Sequence, residues 1–213
     1  MPRLTASIDL PQRDLPQVKP VSASVVEAWR RLLYTFDHGD LHAKIEAVSM
    51  FERADGLKAD FPDMTTVWRD HVIMWSKDLG RSIDYLESRA DIAKGKIGHI
   101  ALSSDRTPLT LAVEPRISLA VISCGGFARQ ESLPEADPLN FAPLVEVPVL
   151  MLNGRYDYYY PTASSQEPHF NLLGTLPEHK RRVVYETSHM IPRNETIKEV
   201  VNWMEKYWGE PSR

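Results

Sequence analysis

Apolar positions follow three regimes along the chain. The first twenty residues, with Pro2, Pro11, Pro16 and Pro20, keep no period and predict an extended arm over 1–20. Beyond it, Val25, Val26, Trp29, Leu32, Leu33 and Phe36 recur at helical spacing. Ser24 and Glu27 form a capping box ahead of them, since hydroxyl and carboxylate can satisfy each other's orphan N–H groups. Lys44–Arg53 is ambiguous, and a loop is expected over Ala54–Phe61. Pro62 and Asp63 then suit the first turn of a long helix. Its predicted buried stripe is Met64, Val67, Trp68, Val72, Trp75, Leu79, Ile83 and Leu86. From there short apolar runs alternate with helical patterns. Strands are predicted over Ile97–Leu102, Ile117–Ser123, Val147–Leu152 and Arg182–Tyr185, and helices over Leu109–Val113, Thr162–Leu173 and Asn194–Trp208. Nearly continuous β-branched runs separated by helices predict an α/β fold, a parallel sheet with helices on both faces. One domain is expected over 21–213, with a helical part over 21–90 and a βα core over 96–209.

Composition narrows the function classes. A chain of 213 residues can enclose one sizeable core, and 43% hydrophobic with 25% charged residues is ordinary for a globular protein. A formal charge of −4 gives no general attraction for nucleic acid or anionic membrane. The run Lys180-Arg181-Arg182 is short enough to be a solvated loop. Cys124 is the single cysteine, which excludes an intramolecular disulfide and a thiolate metal cluster. No apolar run has the length of a membrane span or the form of a signal peptide, so a cytoplasmic protein is expected.

Candidate chemistry comes from the strand ends. In open parallel sheets, functional groups collect beyond the carboxyl ends of the strands. Ser103 follows the first predicted strand, Asp157 follows the third by a short loop, and His189 follows the fourth. A serine hydroxyl is a poor nucleophile until a histidine takes its proton, and that histidine needs a carboxylate to fix its tautomer. Each residue also has a plainer reading: a strand-ending hydroxyl, a turn aspartate, a capping or surface histidine. Tyr158 and Tyr159 can line a substrate pocket or pack on the sheet edge. Cys124 can act as a thiol nucleophile or sit buried at a strand end. His38, Asp40 and His42 alternate as metal ligands do, without a supporting shell, so a polar loop is the simpler reading.

The order Ser…Asp…His is that of the α/β-hydrolases. The segment Pro148-Val-Leu-Met-Leu-Asn-Gly-Arg-Tyr-Asp157-Tyr-Tyr-Tyr-Pro161 resembles the acid-bearing strand and loop of their dienelactone-hydrolase-like and prolyl-oligopeptidase-like members. Val183-Val-Tyr-Glu-Thr-Ser-His189 resembles the strand and loop that deliver the histidine, and Trp68 to Leu86 the helix before the nucleophile strand. The resemblance covers about Phe51 to Gly209. It implies a truncated α/β-hydrolase-like parallel sheet and hydrolysis of a small ester or acyl compound by Ser103, His189 and Asp157. The Ser104 N–H would be one oxyanion donor, and neither cofactor nor metal is implied.

Two departures temper that expectation. The family's Gly-x-Ser-x-Gly elbow reads Ala101-Leu-Ser103-Ser-Asp105 here, and Ala and Asp are expected to relax or distort the turn. A carboxylate at 105 would also oppose a developing oxyanion. The family's strands ahead of the long helix are largely absent, and with them the loop that supplies a second oxyanion donor, a loss of about two to three orders of magnitude in rate. A degenerate hydrolase serving as a binding or assembly module is therefore the alternative, with a second copy of the chain covering the shortened sheet as a homodimer.

Overall fold

The computed structural model describes residues 62–210. The arm over 1–20, the helix predicted after Ser24, the Lys44–Arg53 segment and the His38, Asp40, His42 group lie outside them.

Helix α1 runs over Thr66–Ser88 and begins later than Pro62 suggests. Asp63 Oδ1 accepts from the Thr65 N–H at 2.8 Å, closing a local turn, and the Thr65 hydroxyl then caps the helix by accepting from Trp68 N at 3.4 Å. Met64 consequently precedes the helix, and it and Val67 are exposed rather than part of the stripe. Trp68, Val72 and Ile83 are buried, with Trp75, Leu79 and Leu86 partly so. The helix is tied to the sheet by Arg116, whose guanidinium bonds Glu114 at 2.7 Å, Asp84 at 2.6 Å and the Gly80 carbonyl at 3.1 Å.

Strand β1 (Ile97–Leu102), helix α2 (Thr107–Val113) and strand β2 (Ile117–Ser123) follow. After a four-residue helix α3 (Pro138–Phe141) come strand β3 (Val149–Gly154), helix α4 (Glu167–Leu172), strand β4 (Lys180–Tyr185) and helix α5 (Arg193–Trp208). The strands form one parallel sheet in the order β1-β2-β3-β4. β3 is buried at every position and β2 at all but Ser118, the consequence of covering both faces. Ala120, Ile122, Val149 and Met151 pack with Ile83 of α1, Leu111 of α2 and Leu173. Leu119, Val121, Leu150 and Leu152 pack on the opposite face against Trp203 and Val200 of α5. The expected two-faced α/β sheet is present.

Three further departures from expectation each have a local reason. β3 starts after Pro148 and continues through Asn153 and Gly154, which look like turn residues but pair with Val184 and Tyr185. Gly154 is required there, because a Cβ would lie 1.7 Å from the Ser188 carbonyl oxygen. The Lys180-Arg181-Arg182 run is not a solvated loop; it pairs with Val149, Leu150 and Met151 as the start of β4. The helix expected over Thr162–Leu173 is split into a wide turn over Thr162–Gln166 and α4, whose first turn holds Pro168. Proline has no N–H for a regular helical bond at that point.

Candidate active site

Ser103 ends β1. Its N–H donates to Ser123 O at 2.8 Å, carrying the β1–β2 ladder one residue further, and its φ of 52° lies in the left-handed region. The sharp strand-to-helix turn therefore survives the loss of both glycines. The tight contact that demands a glycine falls on the neighbouring strand end, where a Cβ on Gly125 would come 2.6 Å from Ser104 O. Ala101 is accommodated in the sheet, and Pro108 occupies the first turn of α2, where its missing N–H costs nothing.

Asp157 sits in the loop after β3 and is 4% exposed. Its Oδ1 accepts from the N–H groups of Tyr159 at 2.9 Å and Tyr160 at 3.1 Å, which turns Oδ2 toward His189. His189, in the loop after β4, lies with Nδ1 2.8 Å from that Oδ2 and Nε2 2.7 Å from Ser103 Oγ. A carboxylate has no hydrogen to give, so Nδ1 carries the proton and the Nε2 lone pair faces the serine hydroxyl. Three residues from three different strand ends thus form one continuous hydrogen-bonded row.

Ser103 opens into a cleft of about 480 Å³ lined further by Asp105, Arg106, Arg129 and Tyr158–Tyr160. The rings of Tyr158 and Tyr159 stand 4.2 Å apart between centroids, and Tyr159 meets His189 edge-on at 4.9 Å. Both tyrosines are more than half exposed and face the cleft. The Tyr160 hydroxyl donates to Ser103 O at 3.4 Å; burial first, then the nearby Asp105 carboxylate, pushes its pKa up and keeps the phenol a donor. Asp105 is 6% exposed, and burial raises its pKa against the opposing pull of Arg106 at 3.4 Å. Burial thus makes Asp105 a weaker acid, and the Arg106 guanidinium offsets the repulsion expected from a carboxylate at this position. The Ser104 N–H finds no acceptor among the described residues, while its hydroxyl accepts from Arg106 N at 3.2 Å.

Beneath this row lie polar residues that the sequence did not single out. Asn153 Nδ2 donates to Gly125 O at 2.8 Å, and Arg182 reaches Asn153 Oδ1 at 3.3 Å and Gln166 Oε1 at 2.8 Å. An arginine projecting from a strand that pairs with buried β3 was the available signal. Cys124 is buried beside Ser123. Among the described residues no group of three His, Cys, Asp or Glu side chains could hold a metal ion, and no helix is long and apolar enough to cross a membrane.

No protein-family model matches this chain, and neither does any curated protein sequence. Solved structures do. A cold-adapted esterase from an Arctic intertidal metagenomic library is 23% identical with a TM-score of 0.55, over 71% of this chain and 66% of that one. A Klebsiella pneumoniae protein assigned as a dienelactone hydrolase is 19% identical with a TM-score of 0.54, over 70% of this chain and 69% of that one. The Pyrococcus horikoshii acylaminoacyl peptidase is 15% identical with a TM-score of 0.53, over 65% of this chain and 28% of that one. The chain spans just under two thirds of the length of the esterase structures it matches, 66%, 65% and 63%. Parallel strand order, helices on both faces and these neighbours agree: the described residues have the α/β-hydrolase fold.

Proposed function

We propose that this protein is a serine hydrolase of carboxylic esters or related acyl compounds, working without metal or cofactor. The observation that carries the reading is the Ser103–His189–Asp157 row, with its 2.7 Å and 2.8 Å contacts. Ser103 Oγ attacks the carbonyl carbon as its proton passes to His189 Nε2. The proton then goes to the departing alcohol oxygen, leaving the acyl group on Ser103. Water, deprotonated by the same nitrogen, releases the acid and restores the serine. Asp157 holds Nδ1–H and stabilises the imidazolium that forms at each step. The Ser104 N–H is the oxyanion donor on this chain, and Tyr158 and Tyr159 flank the substrate. A cytoplasmic location fits a single cysteine that is buried and unpaired.

The test is labelling of the folded protein with a fluorophosphonate probe. An adduct on the Ser103 peptide, lost in Ser103→Ala, is expected; a folded protein that takes up no probe at this serine defeats the proposal.

The second reading keeps the fold as a binding or assembly module. It draws on Asp105 beside the would-be oxyanion position and on β1, whose Ile100 and Leu102 are each 54% exposed. Light scattering separates the two: an unlabelled protein that runs as a homodimer favours the module, and an unlabelled monomer removes both.

A further inference from the structure

Gln166 is 0% exposed, lies in the wide turn before α4, and is not part of the Ser103–His189–Asp157 row. Its Nε2 donates to Gly154 O at 2.9 Å and to Tyr160 O at 2.8 Å. Those two carbonyls bracket the loop that bears Asp157. Its Oε1 accepts from Arg182 Nη2 at 2.8 Å, so the amide is also anchored to β4, the strand that leads into the His189 loop. The same arginine reaches Asn153, and Asn153 holds Gly125, against which the Ser104 carbonyl packs. One buried amide thus closes the acid loop at both ends and links it to the strand ends that present the other two members of the row.

We infer that Gln166 is a positioning residue: it fixes the acid loop so that Asp157 Oδ2 meets Nδ1 of His189. The inference rests on the hydrolase reading for its kinetic consequence but not for its structural one. Without the two donations, the buried Gly154 carbonyl and the part-buried Tyr160 carbonyl lose this donor and the loop must shift to replace it. Asp157 moves with it. The imidazolium formed in turnover then loses part of its counter-charge.

The variants are Gln166→Met, which keeps the length and removes every hydrogen bond, and Gln166→Glu, which keeps the Arg182 contact and loses the two donations. Ile83→Ala, in α1 and remote from the loop, is the control for general destabilisation. The first readout is the far-downfield proton resonance of His189 Nδ1–H in the resting protein, which requires no turnover. The second is the pH profile of kcat on 4-nitrophenyl acetate. Both Gln166 variants are expected to lose or shift the resonance upfield, to lower kcat about 10- to 100-fold with KM within about threefold, and to displace the acid limb of the profile. The control keeps the resonance and the limb despite a lower Tm. An unchanged resonance in a folded Gln166 variant overturns the inference, as does an equal change in the control. If the wild-type protein hydrolyses no ester, the hydrolase reading fails while the resonance still decides this one.

Discussion

Ser103 keeps a left-handed backbone without glycine on either side of it, at a cost of about 1–3 kcal/mol. That strain lifts Oγ off the end of β1 and up to His189, and Gly125 makes the space for it. Asp157 is held by two backbone N–H groups on one oxygen, leaving the other for Nδ1. Asp157→Asn should preserve this packing but present an amide N–H to Nδ1, favouring the tautomer whose Nε2 carries hydrogen and cannot accept the serine proton. The expected result is a fall in kcat of about 10³- to 10⁴-fold with Tm little changed, and a parallel slowing of fluorophosphonate labelling. Equal labelling rates in the variant and wild type would mean that the carboxylate does not act through His189. His189, Asp157 and Ser103 were legible in the sequence because each sits at a strand end in a recognisable order. Gln166 was not, because a glutamine between Ser165 and Glu167 carries no periodic signal and its partners are backbone carbonyls.

Element boundaries were the least legible feature, and the misses share a cause. Asn153, Gly154 and the Lys180–Arg182 run have turn-like or polar chemistry that tertiary partners override. Lys180 illustrates it: its ammonium donates to the carbonyls of Phe170 at 3.1 Å, Asn171 at 3.4 Å and Leu173 at 2.9 Å, closing the open carboxyl end of α4 from the neighbouring strand. α4 has only six residues and could not hold its shape on propensity alone. Lys180→Met keeps the stem over Phe170 and removes the donors, and it should lower stability by about 1–3 kcal/mol in urea unfolding. A midpoint equal to wild type would show that water replaces the ammonium at no cost. β2, by contrast, was read correctly end to end, since a strand buried on both faces is written as a nearly continuous apolar run, here Leu119–Ile122 between two serines.

The whole molecule's response to acid should reflect His169. It is 0% exposed, stacked on Phe127 at 4.6 Å, and neither ring nitrogen has a partner among the described residues. Burial lowers its pKa from 6.5 to about 4. The unfolded chain therefore takes up this proton near pH 6.5, whereas the folded one resists until about pH 4. The stability associated with neutral His169 is complete above about pH 6.5 and is lost as pH falls toward 4, by an amount of up to about 3 kcal/mol. His169→Phe keeps a stacked ring without the titration. Urea midpoints at pH 7.5 and 4.5 should differ less in the variant than in the wild type; an identical difference would assign the acid sensitivity elsewhere.

The two margins of the sheet are chemically unlike. At β4, Arg181 projects into solvent beside its partner Glu199, and charge discourages another strand from docking. At β1, no described strand occupies the outer side, and Ile100 and Leu102, two residues apart and so on one face of the sheet, are exposed beside it. Of the two margins of the described sheet, β1 is therefore the better template for a further strand, since aliphatic neighbours cost an approaching backbone less desolvation than a charged pair does.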